Sequence, residues 1–344
     1  MRDLLAAYER LSAGPRQVGR AVVTSVWGSA PRPEGAAMLA TRDGLVAGSV
    51  SGGCVEAATA AEIVAAIERD SPRLVSFGVS HQEAWAVGLA CGGTIRVFVE
   101  PVVRPEILEA ARGPGGEVVA TIIEGQGAGD ALGISADGTV RGNADLPHDT
   151  LRDTALAALR REASGTVTVD LPGGAVSVFL EVFPRQPRLL IFGATHVALA
   201  LVPLARRLGY HTIVADGRAG FLTAERFPEA DELIQAWPEQ AFERIGLDGT
   251  CYICVLSHDP KFDEPALRLA LRSPAAYIGA IGSRKTQAER RERLATEGFT
   301  PDEIARIYGP IGLDLGGRAP AETALAILAE MTRVRYGVEE QNRR

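Results

Sequence analysis

Two short cassettes that nearly mirror each other, Gly52-Gly53-Cys54 and Cys91-Gly92-Gly93, set thiols where a ligand could reach them. Glycine lets a backbone turn sharply or admit a close neighbour, a clearance that a buried thiol does not need. Two soft thiolates at Cys54 and Cys91 could coordinate molybdenum, copper or zinc, or carry a transferable sulfur. Zinc fits poorly, because four ligands at standard spacing are missing. Cys54 is expected to open a helix, where free backbone N–H groups and the dipole favour a thiolate, while Glu56 opposes it by like-charge repulsion. The plain alternative is that both cysteines pack tight turns. Cys251-Tyr252-Ile253-Cys254 reads differently, since it lies inside an expected buried strand. Residues three apart on a strand point to opposite faces, so these sulfurs cannot meet and are read as small apolar fillers.

Upstream, the segment from Gly28 to Ala36 holds Pro31-Arg32-Pro33 and makes a rigid turn that projects Arg32. Arginine's planar fork suits phosphate or carboxylate; an ion pair with Glu34 is the alternative. In the second half, Gly193-Ala194-Thr195-His196 follows a strand and opens a helix, the setting of a dinucleotide fingerprint. Asp216 ends the next strand, where that fingerprint expects an acid on the adenosine ribose. Thr195 stands where the backbone should approach a pyrophosphate, and Ala198 where helix packs on sheet. His258-Asp259 ends a later strand, Gly282-Ser283-Arg284 follows the next, and 309–318 adds a third glycine-rich loop. Open α/β sheets bind ligands at such strand ends. Arg284 and Lys285 could clamp a phosphate or simply form a solvated first turn.

The elements that must position these residues change character midway. The first half reads as an α+β domain over 1–183: a helix at 2–11, strands at 18–26, 36–40, 44–47, 73–77 and 94–100, and a helical alanine-rich run at 54–68. Helices at 105–111 and 150–162 and strands at 117–123, 165–169 and 176–183 complete it. Pro184-Arg185-Gln186-Pro187 reads as a linker. Over 188–336 apolar strands alternate with helices, the pattern of a Rossmann-like, doubly wound parallel sheet, and 337–344 is a polar tail. The fold class is therefore α/β with two domains, in line with a length of 344 residues.

A net charge of −7 argues against nucleic acid or an anionic membrane as the main partner. The N-terminus lacks a signal-peptide core, and the most apolar stretch, 189–205, holds His196 and Pro203 and is short for a bilayer span. With four cysteines, the expected setting is a reducing cytoplasm with free thiols.

Together, Gly28 to Arg32, Gly48 to Glu56, Cys91-Gly92-Gly93, Ile278 to Arg284 and Gly309 to Asp314 resemble the xanthine dehydrogenase accessory family of XdhC/CoxI type. The resemblance spans nearly the whole chain. It implies a cytoplasmic, dimeric chaperone, rather than a catalyst, that holds the molybdenum cofactor and favours its sulfurated form. Such a chaperone delivers its cargo to an apo molybdenum hydroxylase and contacts a cysteine desulfurase. The family's second domain carries a fuller glycine loop before the histidine, whereas this chain has Thr195 followed by His196. The other readings are an NAD(P)-dependent oxidoreductase, with Asp216 on the ribose and His258 as acid/base, and a protein-binding scaffold.

Overall fold

Val18–Trp27 forms β1, and its first seven residues are all buried because the strand is covered on both faces. Ala21 and Val23 pack beneath Ile63, Ala66 and Ile67 of helix α2 (Glu56–Arg69). On the other face Val22, with Phe98, meets Ile123 and Phe179 of a second sheet. The alternation is the ordinary two-residue period of a strand, here with apolar residues on both sides. The computed structural model describes residues 1–28, 31–78, 93–142, 144, 146–218 and 220–337. These form two compact units, Met1–Arg185 and Gln186–Arg344.

In the first unit, helix α1 (Leu5–Leu11) precedes β1, β2 (Ala37–Thr41), β3 (Val46–Gly48), α2, β4 (Arg73–Gly78) and β5 (Thr94–Glu100). These strands make an antiparallel sheet of order β3-β2-β1-β5-β4, with a register shift in β1 between Val23 and Ser25. Helix α3 (Pro105–Arg112), β6 (Glu117–Glu124), β7 (Ala131–Ser135), β8 (Val140–Gly142), α4 (His148–Arg160), β9 (Gly165–Leu171) and β10 (Gly174–Phe183) follow. Their sheet runs β8-β7-β6-β10-β9, again antiparallel. Strands β7 and β8 are absent from the sequence reading. They are short and interrupted by glycine, and β7 is held by burial, with Leu132 and Ile134 under α4 and Ala131 in the core between the sheets.

A buried ionic cluster joins the two sheets of this unit. Arg20 faces Glu100 across the β1–β5 pair and donates to it at 2.9 Å. Its other terminal nitrogen donates to Glu181 of β10, and all three side chains are almost wholly buried.

The second unit alternates as the sequence predicts: β11 (Arg188–Phe192), α5 (His196–Arg207), β12 (His211–Ala215), β13 (Glu232–Ile234), α6 (Pro238–Ile245) and β14 (Cys251–Val255). It closes with α7 (Pro260–Leu271), β15 (Tyr277–Ala280), α8 (Arg284–Thr296), α9 (Pro301–Ala305), β16 (Ile307–Tyr308) and α10 (Pro320–Arg335). The sheet is parallel throughout, in the order β13-β12-β11-β14-β15-β16, so the chain reverses direction across the sheet between β11 and β14. That is the doubly wound order. Leu190, Phe192, Cys251 and Ile253 enter the core on one face, and Leu189, Ile191, Tyr252 and Cys254 the core on the other. The two cysteines therefore lie on opposite sides of the sheet. Among the described residues no helix is long and apolar enough to cross a membrane.

Candidate functional site

The loop that carries Cys54 is built around one carboxylate. Helix α2 starts at Glu56, and this side chain folds back into the turn before it. Its two oxygens accept the hydroxyls of Ser49 (2.6 Å) and Ser51 (2.7 Å). They also accept the backbone N–H groups of Val50, Ser51, Gly52, Gly53 and Val55 at 2.8–3.2 Å. A concave run of amides is an anion site, and here the anion is the chain's own. Burial opposes the charged form, yet the hydrogen bonds from Ser49 and Ser51 and the backbone outweigh it and hold Glu56 down at about 2. This corrects the sequence reading in two ways. Cys54 precedes α2 instead of opening it, and the N–H groups expected to be free there are taken by Glu56.

Gly52 (φ 86°) and Gly53 (φ 128°) adopt the left-handed backbone that the tight turn requires, and space beyond Gly53 is open. Cys54 is exposed. A side chain placed on Gly52 would lie 3.6 Å from the ring of Pro31, so the proline turn abuts the glycine loop. Arg32 follows that proline. It makes no ion pair among the described residues, its Nε has no hydrogen-bond partner, and Glu34 instead accepts the N–H of Val26 at 3.2 Å. Trp27, at the end of β1, pairs with Thr94, so Gly93 borders the strand end from which the proline turn departs. The fold thus brings Arg32, Gly52, Gly53, Cys54 and Gly93 to one end of one sheet. Cys91 and Gly92 lie outside the described residues.

In the second unit the glycine loop is spent on structure. Gly193 (φ 104°) sits where a side chain would come within 2.7 Å of the backbone nitrogen of Ser257, at the end of β14. Thr195 caps α5 by accepting the N–H of Ala198 at 3.4 Å. Asp216 is 1% exposed and accepts the N–H of Ala194 at 2.9 Å. Arg218 holds the same carboxylate with its backbone N–H and two guanidinium nitrogens at 2.8–2.9 Å. Burial resists ionisation of Asp216, but these hydrogen bonds prevail and its pKa lies below the usual value. Both oxygens of this carboxylate are engaged within the protein. His196 stands exposed in the first turn of α5.

His258, Gly282 and Ser283 line one cleft of about 730 Å³ at the C-terminal ends of the strands, whereas Gly193, Thr195, His196, Asp216, Asp259 and Arg284 do not. Asp259 caps α7 through the N–H of Lys261 at 3.0 Å, and Arg284 is exposed at the start of α8. The cleft wall contains Asp263 and Arg290, which the sequence reading passed over. Helix α8 is rich in charge all round; the one available signal is the buried stripe Gln287, Arg290, Leu294 at helical spacing. Among the described residues no group of three or more His, Cys, Asp or Glu side chains could hold a metal.

Comparison with known proteins places both units. Residues 11–78 match the XdhC and CoxI family, and residues 189–331 match the XdhC Rossmann domain. A Bacillus subtilis protein, by name a probable subunit of xanthine dehydrogenase, is 29% identical over 326 residues, which span 92% of this chain and 93% of that protein. The molybdenum cofactor insertion chaperone PaoD of Escherichia coli is 27% identical over 339 residues, 98% of this chain and 89% of PaoD. A crystal structure from Bacillus halodurans, described as a xanthine dehydrogenase, superposes with a TM-score of 0.76 at 25% identity, covering 98% of this chain and 97% of that one. With a matching model in each unit and relatives of nearly equal length, the chain belongs to the XdhC and CoxI family.

Proposed function

We propose that this protein binds the molybdenum cofactor as cargo and delivers it to an apo molybdenum hydroxylase of xanthine dehydrogenase type. The observation that supports this most is the meeting of the Arg32 turn, the Gly52-Gly53-Cys54 loop and Gly93 at one sheet end. A pterin phosphate suits the guanidinium of Arg32, which makes no ion pair among the described residues and whose Nε has no hydrogen-bond partner there. The exposed Cys54 thiol suits molybdenum or a sulfur in transfer, and Cys91 supplies the second thiol. The N–H groups of the glycine loop take no part, because Glu56 fills them. PaoD, similar along nearly its whole length, is by name an insertion chaperone for this cofactor. In this reading a cysteine desulfurase supplies the sulfur, and the working form is a homodimer in the cytoplasm.

The test is to purify the protein with excess molybdopterin and measure retained molybdenum and pterin. Cys54→Ala and Cys91→Ala should lose molybdenum, and Arg32→Ala should lose pterin. Retention equal to the parent protein in all three would sink the proposal. If the hydroxylase is captured equally well after loss of both cysteines, while no variant changes cargo retention, the protein is a scaffold instead.

A further inference from the structure

The cleft in the second unit has a use of its own. It lies at the C-terminal ends of β14, β15 and β16, on the half of the sheet that follows the reversal of strand order. Ligands of open α/β sheets gather at that end. At the first glycine loop, Thr195 accepts the N–H of Ala198, and Asp216 accepts that of Ala194.

Arg290 lines the cleft although it is only 5% exposed. One terminal nitrogen donates to Gln287 at 2.8 Å and to the carbonyl of Ile281 at 3.3 Å. The other reaches Asp263 at a long 3.4 Å, and Nε has no partner. Asp263 also accepts the hydroxyl of Ser257, so the one carboxylate that faces Arg290 is shared and is met by a single guanidinium nitrogen. A buried cation so thinly matched is costly unless an anion completes it.

The rest of the wall points the same way. Helix α8 is capped by Ser283 and begins with Arg284 and Lys285, with no acidic residue in its first turn, so its positive end faces the cleft through Gly282 and Ser283. Arg293 is neutralised by Glu264 at 2.9 Å. Arg318 also lines the cleft, is exposed and makes no ion pair among the described residues. Two arginine forks and a helix N-terminus suit the several oxygens of a phosphate better than the two of a carboxylate. The volume accommodates a small-molecule body as well.

We infer that this cleft binds a phosphate ester of a small molecule, with Arg290 and Arg318 on the phosphate oxygens and the start of α8 behind them. The cleft is built from residues of the second unit, and the inference does not depend on the cargo proposal.

Calorimetric titration of the full chain with inorganic pyrophosphate, adenosine 5′-monophosphate and adenosine tests it. The two phosphate compounds should bind saturably and adenosine should not. Arg318→Glu, at an exposed position where a thermal melt verifies folding, should weaken both by about tenfold or more. Arg290→Lys keeps the charge but loses the fork and should weaken them as well. Competition separates two sources of the phosphate: displacement of retained pterin by the nucleotide identifies the cargo's own phosphate, and simultaneous binding identifies a distinct nucleotide. Either result supports a phosphate site. No saturable binding of either phosphate compound at millimolar concentration, or affinities unchanged in both variants, overturns it. Neither probe carries pterin or molybdenum, so this failure is distinguishable from failure of the cargo proposal.

Discussion

Glu56 accepts the backbone N–H of Gly53 at 2.8 Å, so the first carboxylate of α2 closes the loop that presents Cys54. Glu56→Ala would leave the N–H groups of Val50, Ser51 and Gly53 without their acceptor, and those of Gly52 and Val55 with only the hydroxyls of Ser49 and Ser51, and should destabilise the first unit by about 2 kcal/mol. The folded-state value of about 2 lies below the ordinary 4.5, so the stabilisation is complete above the ordinary value and is lost as pH falls from 4.5 toward 2. Urea melts at pH 7 and pH 3 check this: the gap between parent and variant should be wide at the first and narrow at the second.

Asp216 ties the end of β12 to the glycine loop and to Arg218. Asp216→Ala removes the acceptor for Ala194 and Arg218 and should cost about 2–3 kcal/mol, seen as a lower melting temperature. Fluorescence titration with NADH, at a temperature where both proteins are folded, should give the same curve for parent and variant. An affinity that disappears with the carboxylate would restore the ribose role.

Arg20 is shared by two buried acids. Arg20→Met strands both Glu100 and Glu181 and should cost about 3–5 kcal/mol at neutral pH. Burial holds Glu100 above the usual carboxylate range, with Arg20 pulling the other way. A raised acid stabilises the fold below its unfolded value and loses that contribution as pH rises through the folded one. Glu100→Gln should therefore be less damaging, relative to the parent, at pH 8 than at pH 5. Denaturant midpoints at the two values decide it; the opposite order rules the account out.

The thiols should separate by accessibility. Iodoacetamide on the native protein should modify Cys54, which is exposed, while Cys251 (1% exposed) and Cys254 (0%) react only after unfolding. Burial also pushes both buried thiols up, away from the reactive thiolate. Peptide mapping by mass spectrometry reads the result.

Much of this architecture is written in local pattern. The alternation of apolar strands and helices after Pro187 marks a parallel sheet, because such strands are buried on both faces and read as apolar runs. The period of two assigns Cys251 and Cys254 to opposite faces, where the structure finds them. Strands β7 and β8 escape this logic, since short glycine-containing strands carry no periodic signal and are held by what packs on them.

By itself the sequence determines the fold class, the two Gly/Cys cassettes and the family, all of which depend on residue type and near-neighbour spacing. Only the tertiary structure decides which polar groups are already taken. Glu56 lies within reach of the glycine loop and Asp216 of Ala194, yet a sequence does not say whether a carboxylate turns inward to satisfy a backbone or outward to meet a ligand. Arg290 depends on contacts with Asp263, 27 positions away, and the end of β1 meets Gly93 only because β1 and β5 pair. Hydrogen bonds and burial are settled by long-range packing, so what the polar residues do emerges only when the chain is folded.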